Sequence, residues 1–85
     1  MLRPLFIRRV EGHSMAPTLK PGQIIIASSL LSVAVGKVVV AHHEGIEIVK
    51  RVTSIEPGWI ELVGDNVSPS HNARVSPTSV IGVVL

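Results

Sequence analysis

Valine and isoleucine occur in short runs that glycine and proline interrupt, and this pattern restricts what the chain can fold into. Both residues branch at Cβ, which favours strands over helices. A chain of 85 residues without cysteine has room for one modest core and no disulfide to reinforce it. The sequence therefore predicts a single domain over residues 1–85 with an all-β fold, a small sandwich or barrel of many short strands.

The turn signals divide the chain into a series of predicted strands. The uninterrupted apolar residues of 23–27 predict a strand that is covered on both faces. A Pro-Gly turn joins 46–52 and 59–63 into a hairpin, segment 28–35 is ambiguous, and 64–77 is predicted to be a polar loop. The predicted strands are 5–10, 23–27, 37–42, 46–52, 59–63 and 80–85.

Charge and aromatic content argue against several partners. The formal net charge is only +2, and Phe6 and Trp59 are the only aromatic residues. Nucleic-acid binding requires a basic surface and stacking aromatics, so we expect no nucleic-acid partner. His42 and His43 are adjacent in a predicted strand and would point to opposite faces, which makes them a poor chelating pair. We therefore expect no metal site and no cofactor.

The longest apolar stretch, residues 24–41, could suggest a membrane span. A spanning helix needs about 20 mostly apolar residues, whereas Gly36 and Lys37 interrupt this stretch and predict a turn. Residues 1–10 are short for a secretion signal and contain Pro4 and three arginines. We expect a cytoplasmic chain without a membrane anchor of its own, whose contact with membranes is at most peripheral.

Lys50 is the most unusual residue of the predicted strands. A period of two places it on the same face as Ile46, Ile48 and Val52. Burial there would lower the pKa of the ammonium, so that the neutral amine could accept a proton near neutral pH. A lysine at a sheet edge that extends its charge into water fits the same pattern. The pattern alone leaves both interpretations open.

Ser14 is the candidate nucleophile. A serine hydroxyl attacks a carbonyl only when a base removes its proton, and Lys50 is the candidate base. The approach through Gly12 would leave the backbone amide of Ser14 free to face a reacting carbonyl oxygen. A serine that caps a helix is the common alternative, and the serine alone does not decide between the two.

Four segments, in this order along the chain, resemble motifs of the signal peptidase I family. Residues 12–19 read Gly-His-Ser-Met-Ala-Pro-Thr-Leu and resemble its nucleophile motif, whose core is Ser-Met-x-Pro-Thr-Leu. The other matching segments are 36–40, similar to its Gly-Asp-Ile-Val strand; 49–52, similar to its lysine motif; and 64–74, which begins with Gly-Asp-Asn. The resemblance covers residues 10–85 and extends to short anchorless relatives that are associated with the maturation of nickel-type superoxide dismutase.

The resemblance implies a serine endopeptidase with a Ser/Lys dyad. Its fold would be the small β fold of signal peptidases and self-cleaving repressors, reduced to the catalytic core. Ser14 would attack the scissile carbonyl while its backbone amide binds the oxyanion, and Lys50 would take the proton. Ser70 would orient the lysine, and Arg51 and Asp65 would form a supporting ion pair.

Three positions depart from the family pattern around the site. Gly12 occupies a position where some relatives carry an assisting hydroxyl. The last motif usually reads Ser-x-Asp-Ser-Arg, whereas residues 70–74 read Ser-His-Asn-Ala-Arg. Arg74 thus lacks the aspartate two residues before it, and Ala73 replaces a hydroxyl. These changes put the support of this loop in doubt more than the chemistry.

The implied reaction removes an N-terminal leader or signal-like segment from a precursor protein. The substrate would bind as an extended peptide added to a strand, with small residues before the cut. A self-cleaving, repressor-like regulatory domain is one alternative, although only thirteen residues precede Ser14. An inactive peptide-binding relative is another, which Asn72 and Ala73 favour and the intact Ser14 and Lys50 disfavour.

Overall fold

The computed structural model describes residues 4–67 and 72–85, and these form one antiparallel sheet. The strands follow one another in the sheet in the order β1-β2-β7-β3-β4-β5-β6. The all-β prediction is confirmed. The strands are β1 Leu5–Arg9, β2 Ile24–Ser28, β3 Val38–His43, β4 Ile46–Glu56, β5 Trp59–Val63, β6 Ala73–Val75 and β7 Val80–Val84, and a 3₁₀ turn, Pro77–Ser79, precedes β7.

Strand β3 lies at the centre of the sheet and is buried on both faces. It pairs with β4 on one side and β7 on the other, and Val39, Val40 and Ala41 are fully buried. Val39 and Ala41 belong to a cluster with β4, β5, β6 and β7, while Val40 belongs to a cluster with β2 and the loop after β1. Since neighbours in a strand point to opposite faces, two apolar layers cover the sheet here.

The expectation that residues 23–27 are covered on both faces is wrong. In β2, Ile25 and Ala27 are buried, whereas Ile24 and Ile26 are 52% and 46% exposed. The reason is position: only the edge strand β1 lies beyond β2, and Ile7 of β1, opposite Ile26, is 62% exposed as well, so this end of one face is uncovered. An uninterrupted apolar run therefore has both faces covered in β3 but not in β2.

The predicted turns and the β4–β5 hairpin are present. Gly36 and Gly58 both have positive φ, at 93° and 87°, as residues in tight turns often do. The polar loop predicted for 64–77 is only partly correct, because β6 lies inside it and pairs with β5. Ala73 and Val75 of β6 are buried, but three residues give too short an alternation to predict a strand. Within the described ranges, no helix has the length and apolar content to cross a membrane.

Candidate active site

Ser14 lies in the loop between β1 and β2. Hydrogen bonds at the base of this loop and buried side chains within it hold the loop in place. Next to β1, the amide of Val10 donates to the carbonyl of Gln23, and the amide of Gly22 donates to the carbonyl of Val10, both at 2.8 Å. Inside the loop, Met15 and Leu19 are buried in the apolar cluster beneath it. Because its neighbour Met15 is anchored, Ser14 is held half-buried at the surface of this cluster.

Gly12 directs the chain into this loop. Its φ is +73°, in the left-handed region that residues with a Cβ rarely adopt. No heavy atom lies within 4 Å of the position a Cβ would take, so the requirement for glycine comes from the backbone and not from crowding. An assisting hydroxyl at this position would therefore require a strained backbone.

Lys50 lies in the middle of β4, opposite Val39 of β3. It is 8% exposed, and Val52 on the same face is buried as well, as the period of two predicted. The burial removes water from the ammonium and lowers the pKa of Lys50 below its usual value. No ion pair among the residues that the structure describes involves Lys50, so no carboxylate counteracts this effect.

Ser14 and Lys50 line the same two cavities. The first cavity has a volume of about 360 Å³. One wall is formed by the end of β1 and the loop that follows it as far as Met15, and the other wall is formed by residues 46–50 of β4. The second cavity is lined by Ser14, Lys50, Ile46 and Ile48 together with other residues: His43, Glu44, Asn72 and Ala73. The hydrogen bonds of the described residues include none between Ser14 Oγ and Lys50 Nζ. Catalytic hydrogen bonds are often long in structures without substrate.

Arg51, the residue after Lys50, connects three parts of the chain. Its guanidinium donates two hydrogen bonds to the carboxylate of Asp65, at 2.8 and 2.7 Å, and a third to the carbonyl of Gly36 at 2.7 Å. The hydrogen bonds from Arg51, and a further one from Thr18, lower the pKa of Asp65. The next amide, that of Asn66, donates to the carbonyl of Ser14 at 2.8 Å. Residues 65–66 thus bind both the lysine strand and the serine loop.

The Arg51–Asp65 pair leads to a prediction about acid stability. The pKa of Asp65 is lower in the folded state than in the unfolded state. Its contribution to the free energy of unfolding is therefore fully present above the unfolded-state pKa of about 3.9, and it is lost as the pH falls through the folded-state pKa. We expect Asp65→Asn to lower the free energy of unfolding by about 1–2 kcal/mol at pH 7, a figure reduced for partial exposure. Denaturant titrations from pH 7 to pH 2.5 should show the difference from wild type shrinking below about pH 4.

A matched control for this prediction is Glu61→Gln. Glu61 forms an exposed pair with Arg74 at 3.8 Å and should cost less than about 0.5 kcal/mol at any pH. A deficit of Asp65→Asn that stays constant down to pH 2.5 would show that the charge of Asp65 is not what stabilises the fold.

The other residues predicted for the site belong to the last motif, residues 70–74. Ser70 lies outside the described residues, so its predicted contact with Lys50 stays a prediction. Asn72 is exposed and Ala73 is buried in β6, and both line the second cavity. Arg74 lacks an aspartate at position 72 but pairs with Glu61 of β5, and its guanidinium lies 4.5 Å from the ring of Trp59.

Sequence reasoning missed several residues that line the two cavities. Arg8 of β1 and Glu47 of β4 face each other across the first cavity, and His43 and Glu44 line the second. No motif identifies Arg8 or Glu47, since they are 39 residues apart and meet only because the sheet curves. His42 is exposed, and the described ranges contain no group of three histidine or carboxylate side chains that could hold a metal ion.

Comparison with known proteins assigns the chain to a family. The family model described as Peptidase S24-like matches residues 2–85, nearly the whole sequence. The chain belongs to this family. It is also 41% identical over 61 residues to signal peptidase I from each of two strains of Streptococcus pneumoniae. The resemblance to signal peptidase I is thereby confirmed.

The similarity to these relatives covers different shares of the two chains. The aligned segment is 69% of this chain but only 30% of each signal peptidase I. The aligned part of the chain thus spans less than a third of the length of these relatives. The family that matches nearly the whole chain is a peptidase family.

Proposed function

We propose that this chain is the catalytic core of a serine endopeptidase, with Ser14 as nucleophile and Lys50 as general base, which removes a leader or signal-like segment from a precursor protein. One observation carries the proposal: a lysine that is 8% exposed, with a lowered pKa, lines the same two cavities as the serine. Buried titratable groups in a cleft are typical of functional sites.

The proposed chemistry follows from the protonation state of Lys50. Its neutral amine takes the proton of Ser14 Oγ as the oxygen attacks the scissile carbonyl carbon. The resulting ammonium returns a proton to the leaving amine, which leaves an acyl-enzyme ester on Ser14. The amine of Lys50 then takes a proton from water as the water oxygen attacks the ester carbon. The bond from the acyl carbon to Ser14 Oγ breaks, the ammonium returns the proton to Oγ, and the carboxylic acid product leaves.

The backbone amide of Ser14 is the proposed oxyanion donor. None of the hydrogen bonds described in the structure uses this N–H as donor. The carbonyl of the same residue accepts from the amide of Asn66 at 2.8 Å, which holds the peptide unit in place. A donor that is fixed before the reaction stabilises the negative charge of the tetrahedral intermediate without reorganisation.

Strand pairing supports an extended peptide as the substrate. One edge of β4 pairs with β3 along Ile46–Lys50, while on the other edge the pairing with β5 extends only as far as Arg51. In the described part of the chain, no strand occupies that second edge at 46–50. The first cavity is lined by residues 46–49 of this segment together with Lys50 and Ser14. A peptide that pairs with the free edge would bring a carbonyl to the serine.

The lining of the first cavity, called the groove from here on, supports small side chains before the cut. The groove has an apolar wall next to Ser14, formed by Ile46, Ile48, Val10 and Met15.

The Arg51–Asp65 ion pair supports the relative positions of Ser14 and Lys50. It attaches β4, which carries Lys50, to residues 65–66, which bind the loop that carries Ser14. In this proposal Ser70 orients Lys50, as in the relatives that the sequence resembles.

Incubation with candidate leader peptides tests the proposal. Wild-type protein should cleave such peptides at one bond after a small residue, and mass spectrometry should locate the cut. Ser14→Ala should release no product, whereas Ser32→Ala, a substitution at an exposed serine outside both cavities, should cleave like wild type. Cleavage that survives in Ser14→Ala, or its absence from wild type with every leader tested, would refute the proposed peptidase.

A further inference from the structure

An ion pair crosses the first cavity between two strands that are not neighbours in the sheet. Nε of Arg8 in β1 donates to Oε1 of Glu47 in β4 at 2.5 Å. Three positions of the sheet, occupied by β2, β7 and β3, separate β1 from β4. The contact therefore bridges the two walls of the groove, and both residues line it together with Ser14 and Lys50.

Arg8 is held in place from its own side of the groove. Its Nη1 donates to the carbonyl of Ile7 at 2.9 Å, and its guanidinium lies 4.9 Å from the ring centre of Phe6. The Arg8 and Glu47 side chains are 41% and 29% exposed, so a ligand in the groove can reach both charges. Arg8 is thus an oriented donor, and Glu47 is its partner on the opposite wall.

Glu47 has a defined position relative to the base. It lies three residues before Lys50 in β4, which corresponds to about 10 Å along an extended strand. A peptide paired with the free edge at 46–50 would place the residue opposite Glu47 about three residues from the scissile bond. Residues opposite one another in paired strands point to the same face, so that peptide side chain would lie beside the ion pair.

We propose that Arg8 and Glu47 are specificity-determining residues that form a charge-neutral subsite for the peptide side chain about three residues from the cut. This inference rests on the proposed peptidase function and adds a substrate preference to it. While the two charges are paired, a positive or a negative side chain meets one attractive and one repulsive group of similar strength. The intact pair therefore favours uncharged side chains, and either residue alone selects for the opposite charge.

The two single substitutions should shift this preference in opposite directions. Glu47→Gln leaves the cation of Arg8, which attracts a peptide aspartate and repels a lysine. Arg8→Gln leaves the anion of Glu47, with the reverse result. Pairs at this degree of exposure correspond to changes of roughly two- to fivefold. Salt screens exposed charges, so both shifts should shrink at 0.5 M sodium chloride, where the screening length falls to about 4 Å.

The experiment uses synthetic peptides that differ only by aspartate, asparagine or lysine at each position within four residues of the cut. The ratio of kcat/KM for the aspartate and lysine peptides should be near one for wild type, rise in Glu47→Gln and fall in Arg8→Gln, at one position only. Arg74→Gln and Glu61→Gln remove an exposed pair outside both cavities and should leave the ratio unchanged. The dissociation constants of the aspartate and lysine peptides are also measured and compared for proteins that carry Ser14→Ala in addition to each substitution.

The outcomes separate the inference from the proposed function. Cleavage by all variants with an unchanged ratio would overturn the subsite and leave the peptidase intact. Charge-selective binding to the Ser14→Ala variants, without cleavage by any protein that retains Ser14, would support the subsite and refute the peptidase. Failure of every peptide to bind any variant would overturn the subsite, as would equal shifts in the Arg74→Gln and Glu61→Gln controls.

Discussion

Lys50→Met should abolish peptide cleavage, with a loss of at least about a thousandfold in kcat, while the protein stays folded. Methionine has nearly the length of lysine and no proton acceptor, so it can occupy the same space without serving as base. Removal of one member of a catalytic dyad removes the unit, because the serine hydroxyl then keeps its proton. The measurement is single-turnover cleavage of a leader peptide, with folding checked by thermal unfolding.

The stability of the same variant distinguishes a catalytic lysine from a structural one. Lys50 is 8% exposed and no ion pair among the described residues involves it, so its burial opposes the charged form. We therefore expect Lys50→Met to be as stable as wild type at pH 7, or more stable. Lys37→Met, at an exposed lysine outside both cavities, is the matched control and should cleave normally. Substantial turnover by Lys50→Met would show that another group takes the proton.

The rate of cleavage should rise tenfold per pH unit in acidic solution and reach a plateau at a lower pH than an exposed lysine would give. Only the neutral amine of Lys50 accepts the proton of Ser14, so kcat/KM follows the fraction of neutral lysine in the free enzyme. Burial lowers that pKa from the ordinary value of about 10.4, which moves the plateau toward neutral pH. The substrate for this profile should be a peptide without titratable side chains.

Two results would contradict the pH prediction. A rate that still rises tenfold per unit at pH 10 would mean that Lys50 titrates like a solvated lysine. A rate that is flat from pH 5 to pH 9 would mean that no group with a lowered lysine pKa controls the reaction. The stability of wild type offers an independent check: because the unfolded chain binds the proton more tightly, the free energy of unfolding should rise with pH between the folded and unfolded pKa values of Lys50.

The sequence was sufficient where local pattern and final surroundings agree. In β4, alternation correctly placed Lys50 on the face that also buries Val52. In β2, a similar apolar run was wrongly expected to be covered on both faces, because a run of isoleucines does not reveal whether another layer covers its outer face. Short β6 escaped prediction since Ala73 and Val75 are only two buried positions.

The candidate site, too, could be predicted from the sequence only in part. Motif resemblance identified Ser14 and Lys50, and the structure brings both to the same cavities. The ion pair of Arg8 and Glu47 could not be predicted, because neither residue stands in a motif and their contact depends on how the ends of a curved sheet approach each other. Pairings between distant strands are determined by the global fold and leave no local trace in the sequence.

Because β5 ends opposite Arg51 and pairs only with residues 51–56, the two halves of β4 differ in mutational tolerance. From Arg51 onward, β4 pairs with β5, and this half carries the Arg51–Asp65 ion pair and the fully buried Val52. Along 46–49 it has a neighbour on one side only, and its side chains are exposed or half-buried. Substitutions in this first half can change what the groove accepts at little cost to folding. A single strand can therefore diversify its ligand preference through one half while the other half preserves the architecture.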